Sequence, residues 1–234
     1  RSMLINMNFK MEKGKTCEDQ ESSIGFVPLS HQLLVKRYLN SYTPYRGLLL
    51  FHGLGSGKTC TSIGIMEGMK FDKRVFIMTP ASLRKNYKTQ MKFCGDQVYR
   101  DNNFWVKYKV PLDDSVESKS TLLSLTKITS FDKNTLRKMK HVYLVDQTEK
   151  QPNYHEFSRE EQLRINKQIE MMIDRKYEYI SYNGISEKLW LTKYKKGKSN
   201  PFTNSVVIID EAHNFVSRVI NKLNIEKESV STMI

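Results

Sequence analysis

Cysteine is scarce in this chain: Cys17, Cys60 and Cys94 are the three in 234 residues, widely spaced and odd in number. No Cys-x-x-Cys pair and no cysteine–histidine cluster occurs, so neither a zinc site nor a disulfide framework is suggested, and a reduced, intracellular setting is expected. No apolar run approaches the length of a membrane span, and the first residues have no signal-peptide apolar stretch, so no membrane partner is expected. Internal repeats are also lacking. Acidic residues are outnumbered, with 25 Asp plus Glu against 38 Lys plus Arg, a net charge of +13. That excess favours a polyanionic partner, because each cation near a phosphate releases counterions, although a solvated basic surface would carry the same charge. Hydrophobic residues make up 39%, enough for a core and against global disorder.

Residues 1–24 are polar and aperiodic and read as an N-terminal arm. From there, "GFVPLSHQLLVKRYLNSY" has helical spacing in Leu33, Leu34, Tyr38 and Leu39. The apolar run "GLLLFH" suits a buried strand, "KTCTSIGIMEGM" a helix and "RVFIMTP" a second buried strand. In "TPASLRKNYKTQMKFC", Thr79 is expected as N-cap and Pro80 as a first-turn proline. "HVYLVDQ" and "YEYISYN" read as strands. "SREEQLRINKQIEMMIDRK" reads as a helix with Leu163, Ile165, Ile169 and Met172 on one side, and Met171 and Met172 as core fillers. "VPLDDSVESKS" and "DQTEKQPNYHEF" read as surface loops; "NSVVIIDEAHNF" is a strand running into an acidic turn, followed by a helix. Strands alternating with helices predict an α/β fold with a mostly parallel sheet covered on both faces.

Two stretches carry chemistry. "FHGLGSGKTCTS", residues 51–62, has strand–turn–helix context and ends in Gly57-Lys58-Thr59, but His52 stands where the phosphate-loop pattern has its first glycine. Gly53, Gly55 and Gly57 let the backbone curl so that its N–H groups, with the helix N-terminus, face phosphate oxygens. Leu54, Ser56 and Cys60 complete that nucleotide-binding set; Lys58 reaches the β- and γ-phosphates and the Thr59 hydroxyl suits Mg²⁺. The second stretch, "VVIIDEAH", delivers Asp210 at a strand end as a Mg²⁺-holding carboxylate and Glu211 to orient or deprotonate water. "HVYLVDQ" is a decoy: its strand also ends in aspartate, Asp146, but Gln147 takes the place of the glutamate. The lysine-rich "KLWLTKYKKGKSNP", with Trp190 and Tyr194, and "NNFWVKYKV" each combine charge with aromatics, as nucleic-acid surfaces do and as solvated loops around a core tryptophan also do.

Together, "HGLGSGKT" and "DEAH" after four aliphatic residues resemble the first RecA-like lobe of a superfamily-two helicase or translocase. Members of that group commonly lack the first loop glycine, so His52 is no obstacle. "PLSHQ" resembles the element that sets a glutamine against adenine, which implies Gln32 as base reader. "TPASLRKNY" resembles motif Ia, implying that Thr79, Pro80 and Ser82 meet a nucleic-acid phosphate, and "YEYISYN" resembles motif Ib. His213 would couple the nucleotide and nucleic-acid sides. The set of motifs looks most like the helicases of nucleocytoplasmic large DNA viruses, including the poxvirus early-transcription-factor small subunit and nucleoside triphosphatase I, and their relatives in African swine fever virus and giant viruses.

The resemblance covers about residues 24–224 and implies ATP and Mg²⁺ as cofactors and nucleic acid, DNA rather than RNA, as partner. A second RecA-like lobe of the same protein and an RNA polymerase or transcription-factor subunit are further implied partners. The implied setting is host cytoplasm or virion, or nucleus for a cellular remodeller. Lys58 and Asp210 lie farther apart than a minimal lobe needs, so an insertion, roughly residues 96–176, is expected between motifs Ia and II. Neither motif III nor a second lobe with arginine fingers follows "DEAHN" in residues 25–234. This fragment is therefore expected to bind Mg-ATP and hydrolyse it slowly. The alternative is a nucleotide-gated scaffold subunit of a transcription complex, for which Glu211 would be unnecessary.

Overall fold

The computed structural model describes residues 26–53, 55–149, 151–183, 188, 191–192 and 200–223. Helix α1, Ser30–Tyr38, starts where the Gln32 side chain accepts the Leu29 N–H at 2.9 Å. Gly57, at φ 72°, leads directly into α2, Lys58–Met69. Strand β1, Arg74–Thr79, is buried at all but its first residue. A 3-10 turn, Ala81–Leu83, then precedes α3, Arg84–Cys94. The expected Thr79 cap is not formed. A residue before proline is biased to extended backbone, so Thr79 stays in the strand and Pro80, at ψ 145°, delays the helix.

Strand β2, Trp105–Lys109, is followed by α4, Val116–Thr129, and α5, Lys133–Met139. Residues 116–120, expected as loop, are helical: the Ser115 side chain accepts the Ser118 N–H at 3.2 Å, an N-cap concealed in a polar run. Strand β3, His141–Val145, precedes α6, Arg159–Lys176, which opens on a capping box between Ser158 and Glu161. Helix α6 buries Ile165, Gln168, Ile169, Met172 and Ile173, whereas Leu163, expected on that side, is 63% exposed. Strands β4, Glu178–Ser181, and β5, Ser205–Ile209, and helix α7, Ala212–Leu223, follow.

The sheet is parallel, in the order β4-β1-β5, with Ile77 aligned to Tyr179 on one side and to Ile208 on the other. Strands β2 and β3 pair antiparallel in a separate two-stranded sheet, so "HVYLV" is a strand outside the parallel layer. Alternation along β1 sends Val75 and Ile77 to a large core shared with α2, α3, α6 and the second sheet. Phe76 and Met78 go to a smaller core with Ile180, Tyr182, Phe202 and Phe215 of α7. Helices thus flank the sheet on both faces, as expected.

Two further expectations fail. "GLLLFH" is not a strand: residues 45–53 carry no regular structure, and Leu49 and Phe51 are 76% and 93% exposed. Apolar content alone does not make a strand; a ladder partner is required, and among the described residues this run has none. The cysteines also depart from expectation. Cys60 of α2 and Cys94 of α3 form a disulfide, with Cα atoms 5.6 Å apart. Their separation of 34 residues gave no motif; the packing of α2 on α3 creates the proximity.

Candidate nucleotide site

The Asp210 corner and the end of β4 lie at the carboxyl ends of the parallel strands, where open α/β sheets hold ligands, and the glycine turn leads into α2, which packs against β5. Gly55 and Gly57 lie at φ 75° and 72°, a conformation that favours glycine. The Lys58 ammonium donates to the carbonyls of His52 and Gly53 at 3.1 and 2.9 Å, and the Ser56 hydroxyl donates to Gly53 O at 2.9 Å. Because His52 contributes its carbonyl, which any residue has, its side chain does not disturb the turn; its ring packs edge-on against His31 at 5.4 Å. The His31 Nε2 in turn meets Ser56 O at 2.9 Å. Leu54 lies outside the described residues.

Gln32 is buried and binds the turn. Its Nε2 donates to Gly57 O at 3.2 Å while its Oε1 caps α1. Thr59 and Cys60 occupy the first turn of α2, where Thr61 Oγ1 donates to Gly57 O and Ser62 Oγ donates to Thr59 O.

Asp210 continues the ladder past β5, its N–H donating to Met78 O at 2.9 Å. Burial first, and the Glu211 charge second, hold its carboxyl above the usual carboxylate range, against the opposing pull of the Glu211 N–H and of Lys58. The lysine of the turn is therefore within electrostatic reach of the aspartate. Glu211 sits at φ 53°, left-handed and strained for a non-glycine residue, and its carboxylate meets His213 Nδ1 at 3.3 Å. Tyr182, one residue past β4, donates its hydroxyl to the carbonyls of both Asp210 and Glu211 at 3.2 Å, and its ring packs edge-on against Phe215. Sequence reading singled out the "YEYISYN" run but not this hydroxyl; the signal was an aromatic just beyond a strand parallel to the one that leads to Asp210.

Thr79 is 1% exposed and Pro80 is buried, whereas Ser82 faces solvent. Asp146 accepts from Thr148 in a local turn at the end of β3, outside the parallel sheet, in keeping with its reading as a decoy. Trp105 is core, 2% exposed, with its ring N–H on Asp101 O; Tyr108 is exposed. Trp190 and Tyr194 lie outside the described residues. No group of three His, Cys, Asp or Glu capable of holding a metal occurs among the described residues. Asp210 nevertheless fits a divalent cation, since its charged form is disfavoured by burial and by Glu211 and would gain from a nearby positive charge. No described helix is long and apolar enough to cross a membrane.

A parallel sheet bearing a glycine turn at one helix N-terminus and an Asp-Glu corner on a neighbouring strand defines a RecA-like nucleotide-binding lobe of superfamily-two type. The family model described as type III restriction enzyme, res subunit, matches residues 29–233, and the chain belongs to that helicase family. It is 30% identical over 187 residues to "Putative ATP-dependent RNA helicase R563" of Acanthamoeba polyphaga mimivirus, a match covering 80% of this chain and 24% of that protein. It is 40% identical over 70 residues to "Putative helicase 009L" of Frog virus 3 (isolate Goorha), covering 28% of this chain and 7% of the relative. A third relative, "Putative helicase 087L" of Invertebrate iridescent virus 3, is 49% identical over 37 residues, or 16% and 4%. The chain thus spans about a quarter or less of the length of these viral relatives. No solved structure matches it.

Proposed function

We propose that this chain is the ATP-binding lobe of a nucleic-acid-dependent ATPase that acts in viral transcription or genome handling. The observation that carries the reading is the meeting of the Lys58 turn with the Asp210–Glu211 corner. In this reading the N–H groups of residues 53–60 cradle the phosphates, Lys58 neutralises the β- and γ-oxygens and Gln32 reads the base. Thr59 and Asp210 hold Mg²⁺, which when bound neutralises the charge developing on the transferred phosphoryl group. Glu211 orients the attacking water and takes its proton, and His213, in contact with Glu211, carries the state of the site toward nucleic acid. Thr79, Pro80 and Ser82 form the backbone-contacting turn, with Ser82 the exposed member.

The 1–24 arm precedes a lobe spanning 25–234, with residues 96–176 as an insertion. Without a second lobe to supply arginine fingers, worth roughly 10³ to 10⁵ in turnover elsewhere, the lobe alone hydrolyses slowly. The setting that follows is intracellular, in host cytoplasm or virion, with a polymerase or transcription-factor subunit as partner. DNA is the proposed track; because three relatives bear RNA helicase names, RNA enters the test on equal terms. The test is steady-state ATPase activity of the full-length protein without nucleic acid and with single-stranded DNA, duplex DNA or RNA, alongside Glu211→Gln. Stimulation lost in the variant supports a motor, and the best activator identifies the track. Flat activity with intact ATP binding supports a nucleotide-gated scaffold instead.

A further inference from the structure

Beside the glycine turn lies a cavity of about 320 Å³, bounded by α1, α2 and the turn after α3. Gln32, Thr61 and Gly64 line it toward the nucleotide turn; Lys70, Asp96 and Arg100 line it on the far side. Cys60 and Cys94 are part of the same lining. The two residues are only 8% and 6% exposed, and both line this cavity.

We propose that Cys60–Cys94 is a reversible redox site, reached through this cavity by a dithiol reductant and coupled to the nucleotide turn. The proposal rests on the reading of the turn as an ATP site. Three observations converge on it. Cys60 directly follows Thr59 in the first turn of α2, so the bond anchors the segment that would face the phosphates. Cys94 ends α3, whose opposite end follows Thr79 and Pro80, so the bond joins the first turn of α2 to the far end of the helix that starts beside the proposed nucleic-acid contact. The cavity carries three cations, Lys36, Lys70 and Arg100, against the carboxylates of Glu67 and Asp96, and positive charge favours the thiolate that leaves when a disulfide is cleaved.

In the reaction, a thiolate of the reductant attacks one of the two sulfurs. The Cys60–Cys94 bond breaks and a mixed disulfide forms. The reductant's second thiolate then closes its own ring, releasing the remaining cysteine. Two electrons and two protons pass to the protein as two thiols, and the dithiol leaves as a cyclic disulfide. In the reduced state α2 and α3 are held by packing and by the Ser62–Tyr87 hydroxyl contact at 2.9 Å, without a covalent link.

The test uses full-length protein, oxidised or treated with dithiothreitol while circular dichroism confirms that it stays folded. Differential alkylation with mass spectrometry scores the Cys60 and Cys94 thiols, and a fluorescent ATP analogue reports affinity. Both thiols are expected to emerge together in the folded protein, more slowly when MgADP is bound. Nucleotide Kd is expected to differ by about fivefold between the two states, the lower end of ordinary site–site coupling. Cys94→Ser is expected to show the reduced-state affinity with or without reductant. Thiols that stay free after oxidation, or that emerge only in denaturant, overturn the proposal. Equal affinity in both states also overturns it and leaves the proposed function standing; no ATP binding in either state overturns both.

Discussion

Tyr182→Phe removes one hydroxyl from the candidate nucleotide site and leaves the ring against Phe215, centroids 5.5 Å apart. That hydroxyl donates to both the Asp210 and Glu211 carbonyls, the second of which also accepts the Asn214 N–H at 2.9 Å. Burial, reinforced by the Asp210 and Glu211 charges, pushes its pKa up to about 12, so it remains a donor throughout the neutral range. Glu211 at φ 53° is held in a left-handed conformation that costs a non-glycine residue about 1–2 kcal/mol. A hydrogen bond nets about 1 kcal/mol, and the Asp210 carbonyl, left without the hydroxyl, costs about 1–3 kcal/mol; the Glu211 carbonyl keeps the Asn214 N–H. The hydroxyl and the strain are therefore of similar size, and without the hydroxyl Glu211 relaxes away from its observed geometry. The expected result is a roughly tenfold fall in kcat, the equivalent of about 1.4 kcal/mol, with the KM for ATP unchanged because Lys58 and its turn are untouched. Stability falls by about 1 kcal/mol. Nucleic-acid-stimulated ATPase kinetics and urea unfolding of the full-length variant read both quantities. An unchanged kcat alongside the stability loss would refute the positioning of Glu211; a raised KM with kcat intact would place the defect in binding.

Further outcomes follow from the same geometry. Gly57→Ala is expected to lose most ATP affinity in a fluorescent-nucleotide titration: φ 72° strains alanine by about 1–2 kcal/mol, and its Cβ would displace the Gln32 amide from Gly57. Lys70→Met leaves Glu67 and Asp96 without their shared cation. It is expected to cost about 3 kcal/mol in urea unfolding, the low end for a broken buried pair, because the Asp96 side chain is 33% exposed. Burial pulls Lys70 down and Asp96 up, but their mutual contact, joined at Lys70 by Glu67, outweighs it, holding Lys70 above 10.5 and Asp96 below 3.8. Asp96 therefore contributes stability above 3.8 that disappears as pH falls further, and Lys70 contributes stability below 10.5 that disappears as pH rises through its raised value. The stability gap between wild type and Lys70→Met should be widest between those limits and shrink outside them. Reducing the disulfide, whose cysteines are 34 residues apart, is expected to lower stability by about 4 kcal/mol on the chain-entropy argument, measured by denaturation with and without reductant.

The parts legible in the sequence were those encoded locally. Lys58–Met69 begins where Gly57 ends the turn, and β5 delivers Asp210 as the aliphatic run before it implied. Ser158 and Glu161 mark the start of α6 within four residues. What was illegible depends on neighbours remote in sequence. The Cys60–Cys94 bond needs α2 to lie on α3; the Tyr182 contact needs β4 and β5 to flank β1; and "GLLLFH" had the composition of a strand without a partner to pair with. The Ser115 cap was local but sat in a run so polar that periodicity was silent.

The Lys58 ammonium, held by the carbonyls of His52 and Gly53, has a further consequence. Its charge is not freely offered to any passing anion, because an incoming group must outcompete two oxygen acceptors already in place. A singly charged ion with one well-aimed oxygen gains little by that exchange. A polyphosphate, with several oxygens and several charges, gains more, and each oxygen it brings also meets the N–H groups of the turn. The turn is thus expected to favour anions of high charge density, and inorganic pyrophosphate should compete for it far better than sulfate.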